Sequence, residues 1–326
     1  MKKYIFESYF AVELANSCLL FINNVMQNLK QCFVVLVSIF FLQACNKDSN
    51  NTTAPQSNNV DPILGIKMPE SVYTMRDGRI IVSEIGEFGK DGDGKILEVK
   101  TDGSIKVIAD SGLNDPKGIL VEGPTIYVTD NDEVKKVSFT GEVSKWLGPE
   151  DFPRKPQFLN DITIDRNTII YISDSGDINN GGGGAIYRVD SNSKVSVLVD
   201  SVNDSRILSP NGLSTFQRGY LAFNDFANGF LFRVRLRDLD VKKMSEGFGG
   251  ADGLVYSGIN LYISDWKNGK VWKIDISKVR EDGSLFDPVL VKDGFRGSAD
   301  IDVTSDGKYL VVPEMNANKI VFLPLL

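Results

Sequence analysis

Glu70, Asn160, Asn211, Asp252 and Asp300 occupy matching places in the chain: each follows a Pro, Leu or Ala and opens a short apolar run. Carboxylates and amide oxygens gathered at one point form a hard-oxygen set suited to a single divalent cation. Ca²⁺ is favoured, with Mg²⁺ and Mn²⁺ as alternatives, and Zn²⁺ is a weaker fit where no His or Cys contributes. Such an ion, with open positions, polarises a carbonyl and stabilises the oxyanion formed as water attacks, while a nearby carboxylate takes the water's proton. Any of these five residues could contribute a ligand, and an amide such as Asn160 could instead position substrate. Asp252 and Asn160 are the catalytic candidates. A ligand's basicity is drawn down by its cation, so Asp161, Asp265 and Asp300 stand as alternative bases. The chain has 0 histidines, which excludes Ser-His-Asp and Cys-His triads and every His-ligated metal site.

These residues are far apart in sequence, so a repeating architecture must bring them together. One pattern recurs six times: a turn with Pro, Gly or an acid, a short apolar strand, a second turn, and a Tyr-, Val- or Ile-rich strand ending in Ser-Asp, Thr-Asp, Asn-Asp or an acid. Glu70, Pro116, Asn160, Asn211, Asp252 and Asp300 mark its register at spacings of 46, 44, 51, 41 and 48 residues. Six such repeats with no amphipathic helical window predict an all-β, six-bladed β-propeller with four-stranded blades. In that fold the innermost strand of each blade lines a central channel, and the register marks converge at one end of its axis. Residues near 60–67 or 320–325 would supply the strand that closes the ring. Trp266, directly after Ser264-Asp265, would wall the pocket as a substrate-binding residue. Ser173-Asp174 and Ser264-Asp265 otherwise read as blade-turn hydrogen bonds. Asp91-Gly92-Asp93-Gly94 does not fit an EF-hand frame and reads as a hairpin loop. Gly181-Gly182-Gly183-Gly184 reads as a flexible loop at the channel mouth and a candidate lid.

Over 60–326 the chain resembles the gluconolactonase, regucalcin and luciferin-regenerating-enzyme family of six-bladed propellers. The resemblance rests on Pro69-Glu70-Ser71, Asn160-Asp161, Ser209-Pro210-Asn211-Gly212-Leu213 and Ala251-Asp252-Gly253-Leu254, matched in order. It implies metal ligation by Glu70, Asn211 and Asp252, a further polar contact from Asn160, and a metal-dependent lactonase activity. Members acting on sugar lactones carry an arginine two residues before that asparagine, where this chain has Phe158. This departure implies a small-molecule lactone or ester that is less polar than gluconolactone or differently shaped, with Phe158 among its binding residues. Two other classes stay open: a non-catalytic propeller that displays a binding face, like proteins with NHL repeats, and a lyase or isomerase using the same ion to stabilise an enolate.

Composition bounds the rest. Asp plus Glu outnumber Lys plus Arg by 43 to 36, for a formal charge of -7, and no basic run is present, which argues against nucleic acid as a partner. The three cysteines, Cys18, Cys32 and Cys45, all lie in the first 45 residues, so no disulfide framework supports the folded body. Residues 32–42 are apolar but short for a permanent span, and Leu42-Gln43-Ala44-Cys45 resembles a bacterial lipobox. Residues 1–44 are thus expected to be an upstream segment and lipoprotein signal peptide, with Met26 the natural start. Cys45 would be the lipidation site, and 45–59 a polar disordered tether. The expected location is the bacterial cell envelope, membrane-anchored through lipid and facing the periplasm or the surface.

Overall fold

The computed structural model describes residues 60–325 apart from Asn179, Arg218, Val279 and Glu281. The expectations for residues 1–44, Cys45 and the tether 45–59 fall outside the described residues.

Twenty-four strands form six four-stranded antiparallel sheets, the blades of a propeller. Blades one to five run in chain order over residues 69–109, 116–147, 159–200, 210–246 and 251–293. The inner strands are β2 (Pro69–Thr74), β6 (Pro116–Glu122), β10 (Leu159–Ile164), β14 (Pro210–Phe216) and β18 (Ala251–Ser257). The sixth blade has β22 (Asp302–Val303) innermost, then β23 (Tyr309–Glu314) and β24 (Lys319–Pro324), and its outer strand is β1 (Ile63–Leu64) from the other end of the body. Ile63 pairs with Ile320 and Leu64 with Lys319. Both candidate closing segments therefore meet each other, and the outer edge of β24 is covered.

The apolar core lies between blades. Leu120, Val134 and Leu147 of the second blade pack with Leu159, Ile172 and Tyr187 of the third. Val72, Val82 and Leu97 of the first pack with Ile63, Val311 and Phe322 of the sixth.

Each of the first five inner strands carries a bulge near its start, setting two residues opposite one between the paired positions Pro69/Val72, Pro116/Ile119, Leu159/Ile162, Pro210/Leu213 and Ala251/Leu254. A bulge re-aims side chains and frees backbone N–H groups from the ladder. Those groups are met by side chains at the end of the neighbouring strand: Ser71 N–H donates to Ser83 Oγ, Asp161 N–H to Ser173 Oγ, Gly212 N–H to Asn224 Oδ1 and Gly253 N–H to Ser264 Oγ, at 2.7–2.9 Å. The acid that follows accepts from the loop entering the inner strand. Asp174 accepts from Gln157 and Phe158, Asp225 from Leu208 and Ser209, and Asp265 from Gly249 and Gly250. This is why strands end in Ser-Asp or Asn-Asp: the pair supplies hydrogen bonds that the bulged backbone lacks.

Candidate functional site

The bulge decides which residue faces the axis. Pro69, Pro116, Leu159, Pro210 and Ala251 pair with Glu84, Asp130, Asp174, Asp225 and Asp265. The residues that follow, Glu70, Lys117, Asn160, Asn211 and Asp252, are therefore equivalent. In the sixth blade Ser298 bridges to Glu314, so Ala299 is the equivalent there. Two of the register marks shift: Pro116 gives way to Lys117, and Asp300 stands one place past the axial position. The inner strands are bulged, so counting from an apolar residue or from an acid misplaces the register by one.

Glu70, Asn160, Asn211 and Asp252 come together as expected, and with Lys117 they line one cavity of about 380 Å³. Its walls are apolar, formed by Met68, Ile85, Phe88, Phe158, Ile178, Phe226, Trp266 and Met315. Phe158 and Trp266 are in the expected place, each paired with another ring: Phe88 lies 6.2 Å from Phe158 and Phe226 lies 6.2 Å from Trp266, centroid to centroid. Phe158 is held by its own N–H, which donates to Asp174 Oδ1, and by its carbonyl, which accepts from Ser175 N–H.

Two buried carboxylate oxygens on this floor, Glu70 Oε2 and Asp252 Oδ1, have no hydrogen-bond partner. Burial with this little compensation raises the pKa of both carboxyl groups well above the ordinary range. For Glu70 the negative charges of Asp252, Asp300 and Asp161 push further in that direction while Lys117 opposes them, and for Asp252 the Asp300 charge adds to burial. A divalent cation would relieve both, so the donor set fits one on its own chemistry.

Hydrogen bonding also fixes the orientation of the Asn160 amide. Ser175 Oγ has one proton and donates it to Pro210 O at 2.9 Å, so it accepts from Asn160 Nδ2 at 3.3 Å, leaving Asn160 Oδ1 as the amide's outward acceptor. Behind the axis Asn224 accepts from Gly212 N–H and donates to the Asp252 carbonyl at 2.8 Å, tying the strands that carry Asn211 and Asp252. The glycine after each of those two residues is required by close approach. A Cβ on Gly212 would overlap the Asp252 carbonyl oxygen, and one on Gly253 would sit 2.5 Å from Asp300 Cα.

The alternative bases are engaged elsewhere. Asp161 accepts from Ile162 and Leu213 N–H at 2.6 and 2.5 Å, and Asp300 accepts from Ser71 Oγ at 2.7 Å. These two join neighbouring blades, in keeping with their shared place one residue past the axial ring. Asp265 is committed to its loop and to Asn268. None of the three lines the cavity. The glycine loop contributes at the mouth through Ile178, but it is tied down: Gly182 and Gly184 N–H reach Leu208 O, and Arg154 Nη2 donates to the Gly183 and Gly184 carbonyls. That network opposes the expectation of a free lid. The Asp91–Gly94 segment lies in the hairpin between β3 (Ile80–Glu84) and β4 (Lys95–Val99), as expected.

Lys117 was not among the expected site residues. Its signal was present in Pro116-Lys117-Gly118-Ile119, which has the same Pro-X-Gly-apolar form as Pro210-Asn211-Gly212-Leu213. A lysine does not announce oxygen ligation as acids and amides do, so its type gave no sign of its place.

No protein-family profile and no curated protein matches the chain. Solved structures do. A gluconolactonase from Xanthomonas campestris, described as important in glucose secondary metabolic pathways, superposes with a TM-score of 0.65 at 14% identity, covering 87% of this chain and 96% of that one. A chain of a nidogen/laminin complex superposes with a TM-score of 0.54 at 19% identity, covering 68% of this chain and 80% of that one. At these identities the likeness is one of fold, and the chain shares the six-bladed propeller architecture of the gluconolactonase.

Proposed function

We propose that this protein is a divalent-cation-dependent hydrolase of a lactone or related ester with an apolar body, and that gluconolactone itself is not its substrate. The observation that carries this reading is the pair of partnerless buried oxygens on Glu70 and Asp252, set beside Asn160 and Asn211 at the floor of an aromatic-walled axial cavity. Glu70, Asn211 and Asp252 would hold the cation, with Asn160 as fourth ligand or as the amide that positions substrate. A bound divalent ion, with Ca²⁺ favoured, would supply carbonyl polarisation and oxyanion stabilisation. Asp252 is the candidate acceptor for the attacking water's proton, and the cation that its carboxylate would hold draws its basicity down. Phe158, Phe88, Phe226 and Trp266 seat the apolar body and exclude bulk water.

The variants Glu70→Gln, Asn211→Ala and Asp252→Ala are expected to lose cation binding by calorimetry and to lower lactone turnover at least 100-fold while melting cooperatively. Wild-type turnover by folded Asn211→Ala and Asp252→Ala would refute the assignment. Cys45 is proposed as the lipid anchor holding the propeller at the cell envelope. Cys45→Ala should then partition into the aqueous phase in detergent phase separation.

A further inference from the structure

Lys117 is the one feature of this cavity that cation binding does not use. It is 2% exposed, so its stem and ammonium have left bulk water, which for a lysine requires compensation. The compensation is partial. Nζ donates to the Asp115 carbonyl at 2.9 Å and lies 4.4 Å from the centroid of the Phe158 ring. An ammonium carries three donors. One goes to the carbonyl and one face is taken by the ring, leaving a donor for the cavity that Lys117 lines. Among the described residues no carboxylate lies within ion-pair distance of it. Burial holds its pKa below the ordinary lysine value, while the charges of Glu70, Asp115 and Asp130 pull it back up.

Charge balance gives this donor a ligand class. Among the side chains that line the cavity, Glu70 and Asp252 together would neutralise one divalent cation and Lys117 adds a positive charge, while Asp161 and Asp300 behind the floor are committed to hydrogen bonds and shifted by burial toward the protonated form. A ligand with one negative oxygen group would balance the Lys117 charge, and the apolar walls require the rest of that ligand to be alkyl or aromatic. We propose that Lys117 is a specificity residue that receives the carboxylate of an apolar-bodied organic monoanion. This deepens the hydrolase reading and rests on it for the source of that anion. Opening a lactone with water breaks the acyl C–O bond, and after loss of a proton it yields a hydroxy-carboxylate, so the anion is either that product or a carboxylate the substrate already carries.

The test is a binding experiment that needs no turnover. With Ca²⁺ present, 4-phenylbutanoate, 4-hydroxy-4-phenylbutanoate and neutral 4-phenylbutanamide are titrated into the wild type, Lys117→Met and Lys117→Arg by calorimetry. The wild type and Lys117→Arg should bind the carboxylates at least 10-fold more tightly than the amide, whereas Lys117→Met should lose that 10-fold preference, with the amide affinity unchanged as the control for an intact cavity. A wild type that shows no carboxylate preference, or a Lys117→Met variant that keeps it, would overturn the proposal. Kinetics distinguish the sources. In Lys117→Met a raised KM confined to carboxylate-bearing lactones marks a substrate-borne anion, and weakened inhibition by the hydroxy acid with unchanged KM marks the product. If no lactone is turned over but the carboxylate preference holds in binding, the hydrolase reading falls and the assignment of Lys117 stands.

Discussion

At the scale of single residues, the site is a set of polar groups whose protein partners are incomplete. Glu70 Oε2 and Asp252 Oδ1 are buried without partners, and burial with neighbouring negative charge holds both carboxyl pKa values well above the ordinary range in the cation-free protein. Cation binding requires both to be ionised, so binding must release protons, and affinity must rise with pH. Calorimetric titrations of the wild type with Ca²⁺ in buffers of differing ionisation enthalpy should show net proton release whose extent falls as pH rises. Affinity independent of pH would contradict this. The Lys117 charge opposes a second cation nearby, so Lys117→Met should bind Ca²⁺ more tightly than the wild type, by several-fold. The types of Glu70, Asn160, Asn211 and Asp252 were readable in the sequence because acids and amides announce oxygen ligation. Lys117 was not, since its role depends on which side of a bulge it falls.

At the scale of the strand, the bulge is the device that presents the site, and its cost is borne by neighbouring side chains and by glycine. Gly212 and Gly253 stand where adjacent inner strands nearly touch. Alanine at either should destabilise by about 2–3 kcal/mol through overpacking against backbone, read as a lowered denaturation midpoint with unchanged slope. A neutral effect would mean that the strands can separate without loss. Asp302 joins the first and sixth blades, accepting from Thr74 N–H and Oγ1 at 2.7 Å each, yet burial pushes its pKa up to about 6. The folded protein therefore holds this proton where the unfolded chain, with an ordinary aspartate value near 3.9, has lost it. The contribution of Asp302 to stability thus falls as pH rises from about 4 to about 6. A carboxyl titration of Asp302 followed by NMR should show a midpoint in the upper part of that window, and a midpoint below 4 would contradict it. The strand pattern and the Ser-Asp endings were legible from alternation and turn residues. The one-residue register shift was not, because an inner strand with two unpaired residues breaks the period on which such reading depends.

At the scale of the whole molecule, six blades gather residues from 70 to 252 onto one axis, which no local element of this chain could do. The number of blades and strands per blade followed from the repeat spacing, and a closing strand from 60–67 or 320–325 followed from the need to cover an edge; the structure uses both segments, β1 against β24. Ile63 is buried against the first and sixth blades, so Ile63→Asp should open the ring. An unpaired buried charge costs about 3 kcal/mol or more, which corresponds to a melting temperature lower by about 10 °C at this size. An unchanged melting curve would show that the closing strand is dispensable. What the repeats could not convey is the identity of the ligand, which depends on the aromatic walls contributed by loops between strands.

The central claim is that the axial constellation is a cation-dependent hydrolytic site. It is tested most directly by assaying the protein on a panel of aliphatic, aromatic and sugar lactones after chelation and again after return of Ca²⁺, Mg²⁺, Mn²⁺ or Zn²⁺. The expected result is turnover of an apolar or aromatic lactone that disappears with chelator and returns with one ion, Ca²⁺ foremost, with gluconolactone a poor substrate. Hydrolysis that persists unchanged after complete metal removal, or cation binding with no turnover of any ester or lactone, would contradict it.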